Sequence, residues 1–292
     1  MRGVLAALLR ASEILNLDAD VRPLWRDMLA NLAALPSSDD ADALKPGDYR
    51  GPKVFVRGRK PAVKAGGLLP DQNSLPMWFF DLCNPLSTDS EMLRVANATF
   101  DAYFPKGIDV KTPIGVLSKL PIAAATLGRS DATAQLITNQ IRVLTPERGA
   151  AYKRGAVLEN RMTLREGPQA LDAERLGRAA EAVHLSLLQS GPPAPGEDPI
   201  LCLFPAWPKS WEAKFTLLAR GNFVVSSSIR NGKIGPVNLV CNAGGVCRMK
   251  NPWGTAEVEV QRGSGKFERV AGTLIEFETA KRETVIVRAR QT

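Results

Sequence analysis

The hydrophobic period of this sequence changes once, at a proline-rich stretch that spans residues 192–199. Before this stretch, apolar residues recur every three to four positions, which is the spacing of one face of an α-helix. After it, apolar and polar residues alternate, as they do in half-buried β-strands. The change predicts an α+β protein with a helical part at residues 1–200 and a small antiparallel β domain at residues 201–292.

Helix signals are frequent in the first part, and one long connection separates them. The helices are predicted over 5–35 as a hairpin whose second helix starts near Pro23, from a capping box at Thr88–Glu91, over 114–127 with a kink at Pro121, from Ser130 or Asp131, and over 171–189. Residues 43–86 are rich in Pro and Gly and are predicted to be irregular. Connections of this length inside a compact domain are usually functional.

The second part reads as a series of short strands joined by tight turns. The strands are predicted at Phe223–Val225, Val237–Val240, Val246–Met249, Ala256–Val260, Leu274–Phe277 and Thr284–Val287. Asn231-Gly232 is a strong signal for a two-residue hairpin turn, because both residues tolerate positive φ. Gly263-Ser264-Gly265 is predicted to be a second hairpin loop.

Charge and composition exclude several partner classes. The formal net charge is +8, but the basic residues are scattered, and the densest cluster, Lys53–Lys64, contains a single aromatic residue, Phe55. This predicts a solvated loop and no nucleic-acid partner. The sequence has no apolar run long enough to span a bilayer, which predicts no membrane partner. Arg10 and Glu13 interrupt the apolar N-terminus, which favours an amphipathic helix over a signal peptide.

Cysteine and histidine are too sparse for most metal or nucleophile chemistry. The chain has four cysteines and one histidine, His184, so neither a zinc site nor any other metal or cofactor is predicted. His184 lies within an apolar helical run, and packing is its predicted role. Cys241 and Cys247 flank a turn-like Asn-Ala-Gly-Gly and are interpreted either as a disulfide or as two buried free thiols.

Carboxylates and amides in the loops are the remaining candidates for chemistry. Asp71 and Asn73 lie near the end of the long connection and are followed by Trp78, Phe79 and Phe80. Aromatic rings beside carboxylates and amides suit sugars, because a pyranose face stacks on a ring while its hydroxyls take hydrogen bonds. The alternative is a hydrophobic anchor for the loop.

Glu159 and Asn160 form the second candidate. A Glu beside an Asn can hold and activate a water molecule, as the base of an inverting glycosidase does. The alternative is a capping or salt-bridged Glu. Asp172 and Glu174 follow at the start of the long helix, where acids commonly serve the helix N-terminus.

Several passages resemble glycoside hydrolase family 95, the family of α-L-fucosidases and related enzymes. Glu181–Ser190 followed by Leu203–Pro208 is similar to the closing barrel helix of that family and its "LLQS…LPALP" passage. Leu218–Val225 resembles the "LRARGGF-V" start of its C-terminal β domain. Ile14–Asp18 and Ala125–Ala132 also fit its barrel helices, and the resemblance is strongest over 156–253.

The resemblance implies a fold and an activity. The fold would be an α/α toroid of the six-hairpin type, incomplete in this chain, followed by a β-sandwich domain. The activity would be inverting, metal-independent and cofactor-free hydrolysis of a terminal sugar, as by an α-L-fucosidase. Glu159 with Asn160 is the best match to the family base, with Asp172 or Glu174 as second choices, while Asp71, Asn73 and Trp78 would contact the sugar.

Two departures from the family pattern define an alternative. The motif that carries the family's catalytic acid would lie upstream of Met1, and no histidine occurs at 66–84, where the family has a histidine-rich loop. A second copy of the chain or a preceding segment is therefore expected to complete the barrel. The alternative is a catalytically incomplete fragment that acts as a carbohydrate-binding or assembly module.

Overall fold

The computed structural model describes residues 1–43, 49–60, 74–79, 81–112, 114, 118–142 and 173–290, with the backbone alone for 141–142 and 173–176. Within these residues, helices precede strands, which confirms the α+β class. The helices are α1 (Arg2–Leu15), α2 (Arg22–Ala30), α3 (Leu75–Trp78), α4 (Ser90–Ala102), α5 (Leu120–Thr126), α6 (Ser130–Arg142) and α7 (Ala173–Leu187). They do not by themselves close a ring, so the toroid stays a prediction.

Two helix starts differ from those predicted. Asp89, not Thr88, caps α4, since its Oδ1 accepts the N–H of Met92 at 2.8 Å. Pro121 lies in the first turn of α5 and does not kink a longer helix. Both differences follow from local chemistry, because a short acidic side chain caps well and proline fits the first turn, where its missing N–H costs nothing. Pro23 occupies the same position in α2, as predicted.

The segment around Phe55 is buried, so the prediction of a solvated loop was wrong for it. Val54, Phe55 and Val56 are each at most 5% exposed. The backbone N–H of Phe55 donates to Thr99 Oγ1 at 2.8 Å, and its ring joins a core built mainly by α4, α5 and α6. The basic residues beside it remain outside, where Lys53 pairs with Asp39 at 3.0 Å.

The β domain consists of two antiparallel sheets that share one hydrophobic core. The strands are β1 (Leu188–Gln189), β2 (Cys202–Leu203), β3 (Ala213–Ala219), β4 (Phe223–Arg230), β5 (Lys233–Ile234), β6 (Val237–Cys241), β7 (Gly245–Lys250), β8 (Val258–Arg262), β9 (Phe267–Val270), β10 (Leu274–Thr279) and β11 (Glu283–Ala289). The larger sheet has the order β3-β4-β6-β11-β8-β9 with β5 beside β4, and the smaller sheet pairs β10 with β7. In addition, the short strands β1 and β2 pair with each other.

Turn residues of the β domain behave as predicted. Asn231 and Gly232 join β4 to β5 with φ of 50° and 70°, the positive pair that a tight hairpin requires. Gly263–Gly265 joins β8 to β9. Cys241 and Cys247 are free and buried, so of the two interpretations the structure has the pair of thiols.

The helical and β parts pack directly on one another. Helix α7 continues into β1, and Leu187 and Leu188 belong to the β-domain core. Residues 192–199, which we call the strap, lie along the helical part. Asn84 Nδ2 donates to the carbonyl of Pro192 at 2.9 Å, and Arg10 pairs with Asp198 at 2.6 Å. The proline-rich stretch is therefore a packed segment between the two parts.

None of the helices in the described part of the chain is both long and apolar enough to cross a membrane.

Candidate functional site

One end of the helical part, where α5 and α7 begin, holds Trp78, the sequence-predicted site residue whose side chain the structure describes. At this end, Gln140 of α6 donates to the carbonyl of Ser118, just before α5, at 3.1 Å. At the opposite end, Gln189 follows α7 and donates to the carbonyl of Ala125 in α5 at 2.7 Å. Helices α5 and α7 therefore run in the same direction, and α6 runs against both. The connection at 143–172 leaves α6 and enters α7 at the end where α5 begins.

Trp78 packs against two buried hydrophobic clusters of the helical part, the one that contains Phe55 and a smaller one that contains Ile122. The indole Nε1 donates to Ser74 Oγ at 3.2 Å, and the edge contact with Phe79 has a centroid distance of 5.3 Å. Lys119 Nζ lies 3.6 Å from the centroid of the indole ring, a cation–π contact. A sugar that stacks on this face of Trp78 must first displace the ammonium group. Stacking by Trp78 stays a prediction beside its observed packing role.

Two buried amides hold the loops of this end in place. Asn139 Nδ2 donates to the carbonyls of Asp109 and Thr112 at 2.8 and 3.0 Å, and its Oδ1 accepts from Gln135. Asn139 and Gln140 are each at most 4% exposed. A buried amide left without partners costs free energy, so these bonds fix the loops onto the end of α6. Sequence reasoning missed the pair, although adjacent amides in an apolar helix are a usable signal.

Most of the sequence-predicted site residues lie outside the described residues. These are Asp71, Asn73, Glu159, Asn160 and Asp172, and of Glu174 only the backbone in the first turn of α7 is described. Their neighbours along the chain are placed, however. Asp71 and Asn73 directly precede Ser74, and Glu159, Asn160 and Asp172 belong to the connection between α6 and α7.

Asp109 lies beside Asn139, and its side chain is an ionised carboxylate rather than a protonated acid. The backbone N–H of Lys111 and the hydroxyl of Thr112 hold the pKa of Asp109 below its usual value. The group is therefore ionised at neutral pH, when it cannot donate a proton to a leaving group. Asp109 can only accept hydrogen bonds or attract a positive charge.

The thiols and the histidine are remote from this chemistry. Burial raises the pKa of Cys83 and of Cys247 to about 12 and that of Cys202 to about 11, so these thiols stay protonated and poorly nucleophilic. His184 is half-buried in the last turn of α7, at the end away from the connection at 143–172. In the part of the chain that the structure describes, no three His, Cys, Asp or Glu side chains cluster as metal ligands.

Comparison with known proteins identifies the β part. Residues 197–287, about a third of the chain, match the family model for the C-terminal domain of glycoside hydrolase family 95. No curated protein matches the chain. The resemblance to this family is confirmed for the C-terminal part by the family match.

Proposed function

We propose that this chain, which carries a C-terminal domain of the glycoside hydrolase family 95 type at residues 197–287, is an α-L-fucosidase-like glycoside hydrolase. The reaction is the inverting hydrolysis of a terminal sugar from an oligosaccharide or polysaccharide, without a metal or cofactor. The family match is the observation that carries this proposal. Trp78, the candidate residue whose side chain is described, adds support because its indole ring lies beside the start of α5.

Each candidate residue has a distinct role in this reaction. Glu159 is the base that removes a proton from the attacking water, and Asn160 orients that water. An inverting enzyme keeps its two carboxyl groups about 6.5–9.5 Å apart, so that the water fits between base and anomeric carbon. Asp71 and Asn73 bind sugar hydroxyls, and Trp78 contacts the ring. Asp172 and Glu174 serve the start of α7 and contact the sugar from that side.

The helical part is, in this proposal, a section of an α/α toroid. In a toroid of helical hairpins, alternate helices run parallel, as α5 and α7 do, with an antiparallel helix between them. The face of α1 and α2 is the section's open flank, since Ile14, Leu15 and Leu24 are 66, 64 and 57% exposed. A second copy of the chain or a preceding segment covers this face, because exposed apolar patches mark protein contacts. Of the two, only a preceding segment could also supply the general-acid motif.

A second candidate function follows from the same open flank. No residue of α2 is buried, which suits a protein whose helical part exists to assemble with another. In that case the chain is a carbohydrate-binding or assembly module that performs no hydrolysis.

A turnover assay separates the two functions. The full chain is incubated with aryl α-L-fucosides and aryl galactosides over a range of protein concentrations, while light scattering records its oligomeric state. The hydrolase is expected to release fucose or galactose. Glycan binding without release from any substrate, at every concentration and oligomeric state, contradicts the hydrolase and supports the binding module.

A further inference from the structure

A cleft of about 220 Å³ lies between the strap and two turns of the β domain. Its lining includes Asp198 of the strap, Arg220 and Gly221 of the turn between β3 and β4, and Gly244 of the turn between β6 and β7. Phe223 and Arg248 also line the cleft. The cleft lies toward the C-terminal end of α7, away from the candidate hydrolytic site, because Arg220 N donates to Ser190 Oγ at 3.1 Å.

The two arginines of the cleft are held by carboxylates that lie outside it. Arg220 Nη2 donates to Asp81 Oδ1 at 3.0 Å, and Arg248 Nε donates to Glu276 Oε2 at 2.8 Å. Neither Asp81 nor Glu276 belongs to the lining. These bonds restrict both guanidinium groups without using all of their donors, so the arginines are oriented before any ligand arrives.

The lining of the cleft has more positive than negative groups, and both of its guanidinium groups also pair with carboxylates just outside it. Two guanidinium groups and one carboxylate, that of Asp198, line it. Asp198 is itself shared between Arg10 at 2.6 Å and Arg248 at 3.0 Å. A ligand with one carboxylate balances this lining, and any hydroxyl groups it carries can donate to the remaining lone pairs of Asp198.

The shape of the cleft fits one sugar ring. The cleft is smaller than the roughly 300–1,000 Å³ of pockets for drug-sized ligands, so it admits a single unit and not a chain. Phe223, Leu201 and Val246 provide an apolar wall for the C–H face of a ring.

We propose that this cleft binds a hexuronate, the carboxylate-bearing unit of an acidic polysaccharide. The carboxylate accepts paired N–H groups from Arg220 and Arg248, the hydroxyls donate to Asp198, and the ring lies on the apolar wall. The expectation of a sugar rests on the proposed function, whereas the preference for a carboxylate rests on the two arginines.

Calorimetric titration of the full chain at low ionic strength tests the proposal. The probes are D-glucuronate and D-galacturonate, the matched neutral sugars D-glucose and D-galactose, and acetate. Each uronate is expected to bind at least about tenfold more tightly than its neutral counterpart, about 1.4 kcal/mol, and more tightly than acetate. Equal binding of the neutral sugar, equal binding of acetate, or no uronate binding at millimolar concentrations overturns the proposal.

Variants separate ligand binding from a purely structural role of the ion pairs. Arg248→Gln and Arg220→Gln are expected to weaken uronate binding by about tenfold or more. Arg230→Gln, at the exposed end of β4 and outside the lining, is the matched control and leaves the affinity unchanged. Thermal unfolding of each variant verifies that it folds.

Asp81→Asn makes the decisive comparison. It removes the same ion pair as Arg220→Gln but keeps the guanidinium group in the cleft. Asp81→Asn should weaken uronate binding clearly less than Arg220→Gln does, because the guanidinium group that contacts the carboxylate is still present. Equal losses of affinity in the two variants would mean that the pair only joins the helical and β parts, and the proposal would fail.

This test is independent of hydrolysis. Uronate binding without any turnover therefore leaves the cleft assignment intact and removes only the hydrolase. Turnover without uronate binding removes the cleft assignment and leaves the hydrolase intact.

Discussion

Replacing Glu159 by Gln is expected to lower the rate of glycoside hydrolysis by about 10²–10⁴-fold, the usual contribution of a positioned general base. The amide keeps the shape of the side chain but cannot take a proton from water. The effect should fall on kcat, because sugar binding by the neighbouring residues is retained. Initial rates with an aryl α-L-fucoside measure it.

Glu181→Gln is the matched control for this change. Glu181 lies exposed on α7, and its replacement makes the same change of charge and shape away from the connection at 143–172. This variant should keep the wild-type rate. If both variants lose activity equally, the loss reflects the net charge or folding, and Glu159 is not the base.

Gly244→Ala is expected to lower the free energy of unfolding by about 2–5 kcal/mol. A Cβ at this position would lie 2.8 Å from the backbone nitrogen of Lys281 and 3.0 Å from the carbonyl carbon of Ala280. Backbone atoms cannot rotate away, so overpacking adds about 1–3 kcal/mol. The positive φ of 78° adds about 1–2 kcal/mol for a residue with a Cβ.

Gly254→Ala isolates the contribution of the positive φ to the loss of stability. Gly254 has the same φ of 78°, but a Cβ there would meet nothing within 4 Å. Its replacement should cost only the backbone part, about 1–2 kcal/mol. Urea unfolding followed by tryptophan fluorescence compares the two variants. Equal losses of stability in both would show that the turn between β6 and β7 is not packed against the segment at 279–281.

Much of the β domain could be predicted because most of its strands bury one face. In β8, buried and more exposed residues alternate along Val258–Arg262, and the same alternation is visible in the sequence. The edge strand β9 was missed, because its four residues, Phe267–Val270, include none that is fully buried and give no clear period. Strand β3 is also absent from the predicted strands, although Phe215 and Ala219 are buried in the core.

The helical part was harder to predict because tertiary contacts decide its irregular segments. Val54, Phe55 and Val56 form an apolar triplet inside a basic cluster, and their burial depends on distant elements, through core packing and the hydrogen bond from Phe55 to Thr99. The strap is a second segment whose packing is decided by residues far away in the sequence. Its prolines indicate a linker, whereas its burial depends on partners such as Asn84 and Arg10, which are far away in the sequence.

The candidate site could be predicted as residue types but not as a geometry. The carboxylates and amides at 71–73 and 159–160 were identified because their chemistry suits sugars. How these residues are placed relative to one another depends on the packing of distant segments, which residue types do not encode. The cation that covers Trp78 had no sequence signal, since Lys119 is 41 positions away along the chain.

The first sugar anomer released from an aryl α-L-fucoside tests the central claim most directly. Proton NMR of the full chain with this substrate should show β-L-fucose first, followed by slow mutarotation, because the base on Glu159 activates water on the face opposite the leaving group. Release of α-L-fucose first would indicate a retaining mechanism with a carboxylate nucleophile. The absence of any fucose release, with the chain folded and at every oligomeric state, would contradict the account.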